Sequence, residues 1–185
     1  MRRTRLALTV PLAGLALSAW RAHSHDVSEG EERVFRTLNG APDGLAPFLW
    51  PVMQMGSLAA VYVVAAEQYR REGPTKAIAF AATGTAVWSG IKLIKPVIGR
   101  GRPADQLERV RVRGHRQSGL GYPSGHAAVS LTIALSASMN ARERRLAVLG
   151  AAVTAASRMY VGAHLPLDVV GGAAAGWLVG AVAAR

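Results

Sequence analysis

The sequence contains no cysteine among its 185 residues. This absence excludes disulfide bonds and thiolate metal sites, and it gives no information about the redox compartment of the protein. Carboxylates are also scarce, because 11 Asp and Glu residues stand against 22 Lys and Arg residues. Their scattered positions provide no cluster of oxygen ligands of the kind that Mg²⁺ requires. The sequence has no internal repeat and no strand-like alternation of apolar and polar residues, so it does not indicate a β-protein.

Long apolar runs are what the sequence has instead. Half of the residues are hydrophobic, and the formal net charge is +11. A nucleic-acid-binding protein would spread its basic residues among polar ones, whereas here they lie between apolar runs, which favours a membrane protein. We therefore expect a single all-α domain, an integral membrane six-helix bundle, with a soluble helical bundle as the alternative. The six runs are Leu6–Trp20, Leu45–Tyr69, Lys76–Ile94, Gly125–Met139, Leu146–Val161 and Leu167–Ala184.

The first 44 residues form an N-terminal segment in this interpretation, ahead of a core at residues 45–185. The first apolar run follows Arg2, Arg3 and Arg5 and is either a membrane helix or a signal peptide cleaved near Leu17-Ser18-Ala19. We favour the membrane helix, because Trp20-Arg21 is typical of the interfacial end of a span.

A polar stretch follows the first run at residues 22–39. Its Val34, Phe35 and Leu38 lie on one side of a predicted helix. This pattern predicts an amphipathic helix that lies at the membrane surface.

The basic residues also predict an orientation. With the N-terminus in the cytoplasm, the clusters at Arg70–Lys76 and Arg142–Arg145 are cytoplasmic, which agrees with the positive-inside bias, and so is Arg185. The long polar segment at residues 96–122 then lies outside, although it is rich in arginine. Its charge requires a second reason, and a phosphate site is one.

Three short motifs carry the candidate chemistry. Lys95 and Arg102-Pro103, separated by six residues, supply a point charge and a planar fork that suit phosphate oxygens. Pro123-Ser124-Gly125-His126 opens a predicted helix, whose unpaired backbone N–H groups favour an anion and whose histidine can give a proton. Ser157-Arg158 precedes His164 and Asp168, which share a helix face at a spacing of four, so that the carboxylate can orient a nucleophilic imidazole.

Each motif alone also fits a structural role: a basic segment that binds lipid headgroups, a helix cap, and an ion pair at a helix start. Their common location argues for more. In the six-span arrangement the third and fifth spans end, and the fourth and sixth spans begin, on the same outer side. All three motifs therefore meet at one membrane face.

Together these motifs resemble the three-part signature of the type-2 phosphatidic acid phosphatase superfamily, which shares its site with vanadium haloperoxidases and bacterial class A acid phosphatases. The resemblance covers Lys95 to Asp168, and no signature residue is missing. It implies a membrane phosphatase of the cytoplasmic membrane whose partners are membrane lipids and a lipid phosphate or diphosphate: phosphatidic acid, phosphatidylglycerol phosphate, or a polyprenyl phosphate or diphosphate. The alternatives are a vanadate-dependent haloperoxidase and a catalytically silent lipid-binding or transport protein.

The resemblance also implies residue roles. His164 would attack phosphorus to form a phosphohistidine, Asp168 would orient it, and His126 would protonate the leaving oxygen. The residues that would hold the phosphoryl oxygens are Lys95, Arg102, Ser124, Gly125 and Arg158. No metal and no other cofactor is expected, and the site is expected to face the extracytoplasmic side.

Six further basic residues in the long polar segment lie outside the signature. We expect them to be solvated, with contact to a lipid headgroup as the alternative. They are Arg100, Arg109, Arg111, Arg113, His115 and Arg116.

Overall fold

The computed structural model describes residues 2–184, with side chains from Leu8 onward. The side chains of four arginines that are predicted to be cytoplasmic are therefore outside the described part of the chain, namely Arg2, Arg3, Arg5 and Arg185. The protein is all-α, as expected, and no strand occurs in residues 2–184. Its α-helices are α1 (Arg2–His23), α2 (Glu29–Asn39), α3 (Ala46–Met53), α4 (Leu58–Glu72), α5 (Pro74–Ile98), α6 (Pro103–Gln106), α7 (Gly125–Ser136), α8 (Ala141–Tyr160) and α9 (Pro166–Ala183).

The second apolar run differs from the single span that the sequence predicts. It contains α3 and α4, and the axis bends by 66° between Asp43–Gly56 and Leu58–Glu72. The bend follows Pro51, which lies inside α3 and cannot donate a backbone hydrogen bond. Ser57 then starts a new helix, because its hydroxyl accepts a hydrogen bond from the backbone N–H of Ala60 at 3.2 Å.

Length and apolar composition identify fewer spans than six. Within residues 2–184, two helical stretches are long and apolar enough to cross a membrane, namely Pro74–Gln106, which contains α5, and α9; the bent pair would add a third. Helix α7 is apolar but has only 12 residues. It is therefore about 18 Å long, whereas a hydrocarbon core is about 30 Å thick. The structure supports a membrane-type all-α fold and leaves the number of spans to be tested.

Helix α7 lies at the centre of the bundle and packs against α5, α8 and α9. Glycines on α9 make its closest approach possible. A Cβ at Gly172 would overlap the backbone oxygen of Ser124, and a Cβ at Gly176 would overlap that of Ala128. Because small residues let helices approach closely, α9 can hold the start of α7 at backbone distance.

The N-terminal segment packs on this bundle. Helix α1 lies along α9, and the hydroxyl groups of its Ser18 and of Tyr122 are 3.1 Å apart in a buried hydrogen bond. In α2, Phe35 is fully buried against Met159, Leu165 and other residues of the core. The amphipathic helix is therefore present as predicted, but its apolar side covers the protein itself rather than lying on the membrane surface.

Candidate active site

The three sequence motifs meet where α5 and α8 end and α7 and α9 begin. The Lys95 ammonium donates to the backbone oxygen of Pro123 at 3.0 Å, which joins the first motif to the second. The backbone N–H of Ser124 donates to the backbone oxygen of Asp168 at 2.8 Å, which joins the second to the third. Arg102 donates to the backbone oxygen of Ala163 at 2.8 Å, which joins the first to the third. The structure therefore brings all predicted site residues to one end of the bundle.

His164 and Asp168 form the buried pair that the sequence predicts. His164 is 3% exposed and Asp168 is fully buried, and His164 Nδ1 lies 3.5 Å from Asp168 Oδ2. The same Oδ2 accepts a hydrogen bond from the backbone N–H of Leu165 at 2.9 Å. This bond fixes the carboxylate at the first turn of α9, where an acidic group is favoured.

A tight turn carries the chain from Arg158 to His164. The backbone oxygen of Arg158 accepts hydrogen bonds from the N–H groups of both Ala163 and His164. Gly162 makes this turn possible, because its φ is +76° and a Cβ there would overlap the backbone oxygen of Arg111.

The surroundings of His164 keep its imidazole neutral. Burial lowers the pKa of His164 well below its usual 6.5, and the positive charges of Arg158, Lys95 and Arg102 lower it further. Nδ1 faces Asp168 at 3.5 Å but has no hydrogen-bond partner within the described residues. When this contact shortens to a hydrogen bond, the other ring nitrogen, Nε2, is available as a nucleophile.

The three signature cations are held by groups other than carboxylates. The Lys95 ammonium donates to three backbone oxygens, at Leu120, Gly121 and Pro123, and a lysine has three donors. The guanidinium of Arg102 donates to the backbone oxygens of Ser118, Gly119 and Ala163. Arg158 contacts the sulfur of Met53 at 3.2 Å, and its buried Nε has no partner within the described residues.

The start of α7 presents further free donors. Ser124 is fully buried, and its Oγ has no hydrogen-bond partner in the part of the chain that the structure describes. It precedes Gly125, the first residue of α7, and its side chain does not cap the helix. The first helical hydrogen bond runs from Ala128 to Ser124, so the N–H groups between them are not used within the helix. His126 is half-buried in the same turn and interacts electrostatically with Arg158 and His164.

Buried donors and cations that lack a carboxylate partner, next to a neutral oriented histidine, define a site for an anion that the histidine can attack. A family model described as PAP2 superfamily matches residues 75–185, which include every signature residue. The chain belongs to the PAP2 superfamily. The resemblance inferred from the three motifs is thereby confirmed.

Two relatives share part of their sequence with this PAP2 chain. A lipid A 4'-phosphatase from Bacteroides thetaiotaomicron is 36% identical over 97 residues, which cover 46% of this chain and 43% of that protein. An undecaprenyl-diphosphatase from Sulfolobus acidocaldarius is 33% identical over 88 residues, which cover 46% of this chain and 41% of that protein. The aligned region of this chain thus spans less than half the length of either relative.

Two crystal structures share the fold. LpxE from Aquifex aeolicus superimposes with a TM-score of 0.72 at 24% sequence identity, covering 82% of this chain and 92% of that one. A transmembrane PAP2 type phosphatidylglycerolphosphate phosphatase from Bacillus subtilis gives a TM-score of 0.71 at 19% identity, covering 91% of each chain. At these identities the likeness establishes a PAP2 membrane-type fold.

A cavity of about 110 Å³ opens beside the PAP2 motifs. Arg102 and Arg158 line it together with Trp50 and Met53 of α3. Its remaining polar lining comes from the long loop: Asp105, Arg113, His115, Arg116 and Gln117. The cavity therefore leads from an aromatic side chain of α3 to two of the signature arginines.

The loop residues outside the signature divide into two groups. Arg109, Arg111, His115 and Arg116 are exposed, as expected for solvated side chains. Arg113 is half-buried and pairs with Asp43 at 2.8 Å. The expectation of a solvated side chain is wrong for Arg113, whose side chain is 11% exposed and also donates to backbone oxygens. It is wrong for Arg100 too, because Arg100 is fully buried and pairs with Glu31 of α2 at 2.6 Å.

Sequence reasoning missed Glu31 for an identifiable reason. The polar stretch was assigned to the membrane surface, where its carboxylates would be solvated. However, Glu31, Phe35 and Asn39 recur every four residues, and all three are buried on one side of α2. This periodicity was the available signal for a buried acidic residue.

Proposed function

We propose that the protein is an integral membrane phosphatase that hydrolyses a lipid phosphate or diphosphate through a phosphohistidine at His164, without a metal ion. The observation that carries this proposal is the convergence of all three signature motifs at one end of the bundle, where hydrogen bonds join each motif to the other two. There His164 and Asp168 form an oriented pair 3.5 Å apart, and Lys95, Arg102 and Arg158 surround the pair without pairing to carboxylates of the described chain.

The proposed reaction has two displacements at phosphorus. In the first, Nε2 of His164 attacks, the bond from phosphorus to the lipid-side oxygen breaks, and His126 gives its proton to that oxygen. In the second, a water molecule loses a proton to His126 and attacks the phosphohistidine. Inorganic phosphate leaves and neutral His164 is restored. Asp168 stabilises the positive charge on His164 in the first step and holds its ring in place in both.

Fixed donors would stabilise the transferring group. Negative charge spreads over the equatorial oxygens of a phosphoryl group in transfer, and preorganised cations and N–H groups lower its energy. We assign this role to Arg102, Arg158, Ser124 and the backbone N–H of Gly125. Lys95 contributes its charge and holds the loop at residues 120–123. Because its three donors already bind backbone oxygens, it contacts phosphate only when one of these hydrogen bonds is replaced by one to a phosphoryl oxygen.

We also propose that the chain spans the membrane six times, with the site facing the extracytoplasmic side of the cytoplasmic membrane. The basic residues at the end opposite to the site, Arg70, Arg71, Lys76, Arg142, Arg144 and Arg145, support this orientation. Short α7 fits such a bundle because its neighbours α5 and α9 are long enough to cover it from lipid.

The cavity supports an amphipathic phosphate ester as the substrate. The indole of Trp50 and the sulfur of Met53 offer apolar contact, while Arg102 and Arg158 offer charge for a phosphate. The exposed His115 and Arg116 are placed to meet an anionic or hydroxylated headgroup. The relatives carry the names of lipid A 4'-, undecaprenyl- and phosphatidylglycerolphosphate phosphatases, and these names set the panel of substrates to assay.

Phosphate release from purified, detergent-solubilised protein tests the proposal. Each lipid phosphate is assayed without added metal, and His164→Ala serves as the matched control. We expect release from at least one lipid by the wild type and a loss of about three or more orders of magnitude in His164→Ala. No release from any lipid, or equal release by the variant, would contradict the proposal. Bromination activity with vanadate and peroxide would instead indicate a haloperoxidase.

A further inference from the structure

Arg100 is a fully buried arginine that the three-part signature does not assign. It follows Gly99, the left-handed residue that ends α5, and its guanidinium enters the interior between α2 and α9. There it donates to both oxygens of Glu31, from NH2 to Oε2 at 2.6 Å and from NH1 to Oε1 at 2.9 Å. This fork geometry is the strong two-point form of an arginine–carboxylate pair.

The same guanidinium reaches the carboxylate of the candidate catalytic pair. Arg100 NH1 donates to Asp168 Oδ1 at 3.4 Å, while the other oxygen, Oδ2, faces Nδ1 of His164 at 3.5 Å. The Leu165 N–H holds Oδ2 as well. The two oxygens of Asp168 therefore have different partners, with the nucleophile on one side and Arg100 on the other.

Glu31 ties the arrangement to the start of α9. Its Oε1 also accepts a hydrogen bond from the backbone N–H of Leu167 at 2.9 Å, one residue before Asp168. The side chains of Arg100 and Asp168 are fully buried, and that of Glu31 is 4% exposed. A buried charge is costly unless it is paired, and each of these three charges has an opposite charge only within the trio. Arg100 Nε is buried and has no hydrogen-bond partner within the described residues.

From this geometry we infer that Arg100 and Glu31 are positioning residues for the reaction, which set the plane of the Asp168 carboxylate against His164. The inference rests on the proposed phosphatase activity. It gives a function to α2. We propose residues 1–44 as an addition to the 45–185 core, and Glu31 of α2 then belongs to this added segment. The series of contacts runs from Glu31 to Arg100, Asp168 and His164.

The direction of the effect follows from the charges. Arg100 lies between two carboxylates, so its removal leaves Glu31 and Asp168 buried without the cation that separates them. Asp168 then loses its second anchor, and its carboxylate is free to turn away from His164. Substrate binding depends in this proposal on Arg102, Arg158 and the start of α7. Within the described residues, the Arg100 side chain is hydrogen-bonded only to Glu31, Asp168 and the backbone oxygen of Asp26. The loss should therefore appear in kcat and leave KM nearly unchanged.

Three variants and one control test the inference. Arg100→Met removes the charge, Arg100→Lys keeps it without the fork, and Glu31→Gln weakens the outer pair. The matched control is Glu32→Gln, one residue along the same helix, because Glu32 faces outward and pairs with Arg36 at 2.6 Å. For each protein, kcat, KM and thermal unfolding in detergent are measured, together with inhibition by orthovanadate and by inorganic phosphate.

We expect graded losses in kcat with KM within about threefold of wild type. Arg100→Met should lose about 10- to 100-fold, as supporting partners of site residues often do, with smaller losses for Arg100→Lys and Glu31→Gln and none for Glu32→Gln. Glu31→Gln/Arg100→Met should lose no more than Arg100→Met alone, because both residues act through Asp168.

The inhibitors separate positioning from a structural role. Orthovanadate needs an oriented His164 to mimic the transferring group, whereas phosphate needs only the cations. Vanadate inhibition should therefore weaken about 10-fold more than phosphate inhibition in Arg100→Lys and Glu31→Gln. If Arg100→Met does not fold, these two variants decide the result alone.

Either of two results would overturn the inference. The first is an unchanged kcat in both Arg100→Lys and Glu31→Gln. The second is an equal loss of affinity for vanadate and for phosphate in these variants, together with a rise in KM. An inactive wild-type enzyme would instead show that the proposed function has failed.

Discussion

The two ends of the helical bundle both collect arginines, but they hold them differently. At the end away from the site, Arg71 of α4 donates to Glu67 at 2.7 Å and to Glu143 of α8 at 3.0 Å. All three side chains of this cluster are more than a third exposed. Arg144 caps α7 by donating to the backbone oxygens of Ala134 and Leu135. Arg71 is therefore neutralised by carboxylates and joins α4 to α8, whereas the half-buried Arg144 is held by backbone oxygens and has no carboxylate bridge within the described residues.

At the site end, Lys95, Arg102 and Arg158 have no carboxylate bridge within the described residues. The buried acidic group whose charge acts on Lys95 and Arg102, Asp168, is already shared between Arg100 and His164. Leaving positive charge partly buried without a counter-ion costs free energy, and folding alone gives no reason to keep it. The comparison indicates that an anion completes the site end, whereas the opposite end is complete by itself.

The most direct way to break this comparison is to remove one arginine from each end. Arg158→Met should reduce kcat/KM by about 100- to 1,000-fold, because a phosphoryl-stabilising donor is lost, and should leave thermal stability equal or higher, because a buried unpaired charge is removed. Arg71→Met should leave kcat/KM unchanged and lower thermal stability only slightly, since its pairs are exposed. Enzyme assays and thermal unfolding of both variants provide the check.

The opposite outcome for this pair would remove the distinction between the ends. If Arg158→Met unfolds while Arg71→Met loses activity, then the site-end cation is structural. The proposed phosphate site would then lack its main support.

Filling the site end with an anion should sharpen the comparison. Orthovanadate can adopt the five-coordinate shape of a phosphoryl group in transfer, so it should inhibit at least about 100-fold more tightly than inorganic phosphate. EDTA should have no effect, because within residues 2–184 no cluster of three or more His, Cys, Asp or Glu side chains could hold a metal ion. Inhibition curves for both compounds are measured on the same preparation. Inactivation by EDTA with recovery in Mg²⁺ would contradict the metal-free mechanism.

Acid should weaken the site end in a predictable way. The pKa of His164 is lowered in the folded protein by burial and by the three neighbouring cations, so its imidazole stays neutral below 6.5 while the unfolded chain takes up a proton. The contribution of His164 to stability should therefore be constant above this pH and should fall as the pH drops below it. In a protein of this size the effect should be a few °C in Tm, on the order of 3 °C per pH unit.

The matched variant for this effect is His164→Asn, which cannot take up the proton. Tm is recorded in detergent from about pH 7.5 to about pH 5.5, a range that brackets the ordinary histidine pKa. The wild type should lose more Tm than the variant over this range. Parallel curves would show that His164 is not buried neutral.

The smallest effects are expected from single cysteine replacements, which test only which side of the membrane each end of the bundle faces. The chain has no cysteine, so single replacements can be labelled selectively. Ser118→Cys in the exposed loop beside the site should react with an impermeant maleimide in intact cells. Ala141→Cys at the start of α8 should react only after permeabilisation, because the positive-inside bias places that end in the cytoplasm. The reverse labelling pattern would place the site in the cytoplasm.

The sequence predicted that the three motifs come together, which the structure shows, whereas the number of spans stays a prediction, and the reason is physical. Arg102, His126 and His164 belong to short motifs of charged or reactive side chains at fixed spacing. Such motifs can be recognised without knowing how the helices pack. A span must instead be judged from hydropathy, and helices rich in alanine and glycine such as α9 are only weakly apolar. The bend after Pro51 and the short α7 depend on neighbouring helices, which local sequence does not contain.

Arg100 shows the other limit of sequence reasoning. Its own sequence context, a glycine on each side in a basic loop, predicts exposure. Its burial depends on Glu31, which lies 69 residues earlier on a helix whose partners only the folded chain supplies. Long-range pairing of this kind is set by packing and not by local pattern.

Trapping the covalent intermediate tests the central claim most directly. Wild-type protein, His164→Ala and His126→Ala are mixed with a hydrolysable lipid phosphate, quenched in alkaline denaturant, in which phosphohistidine survives, and analysed by peptide mass spectrometry. The account predicts phosphate on His164 in the wild type, slower formation of it in His126→Ala because the leaving oxygen is no longer protonated, and none in His164→Ala. Turnover by the wild type with no phosphate on His164 under any quench condition, or with phosphate on another residue, would contradict it.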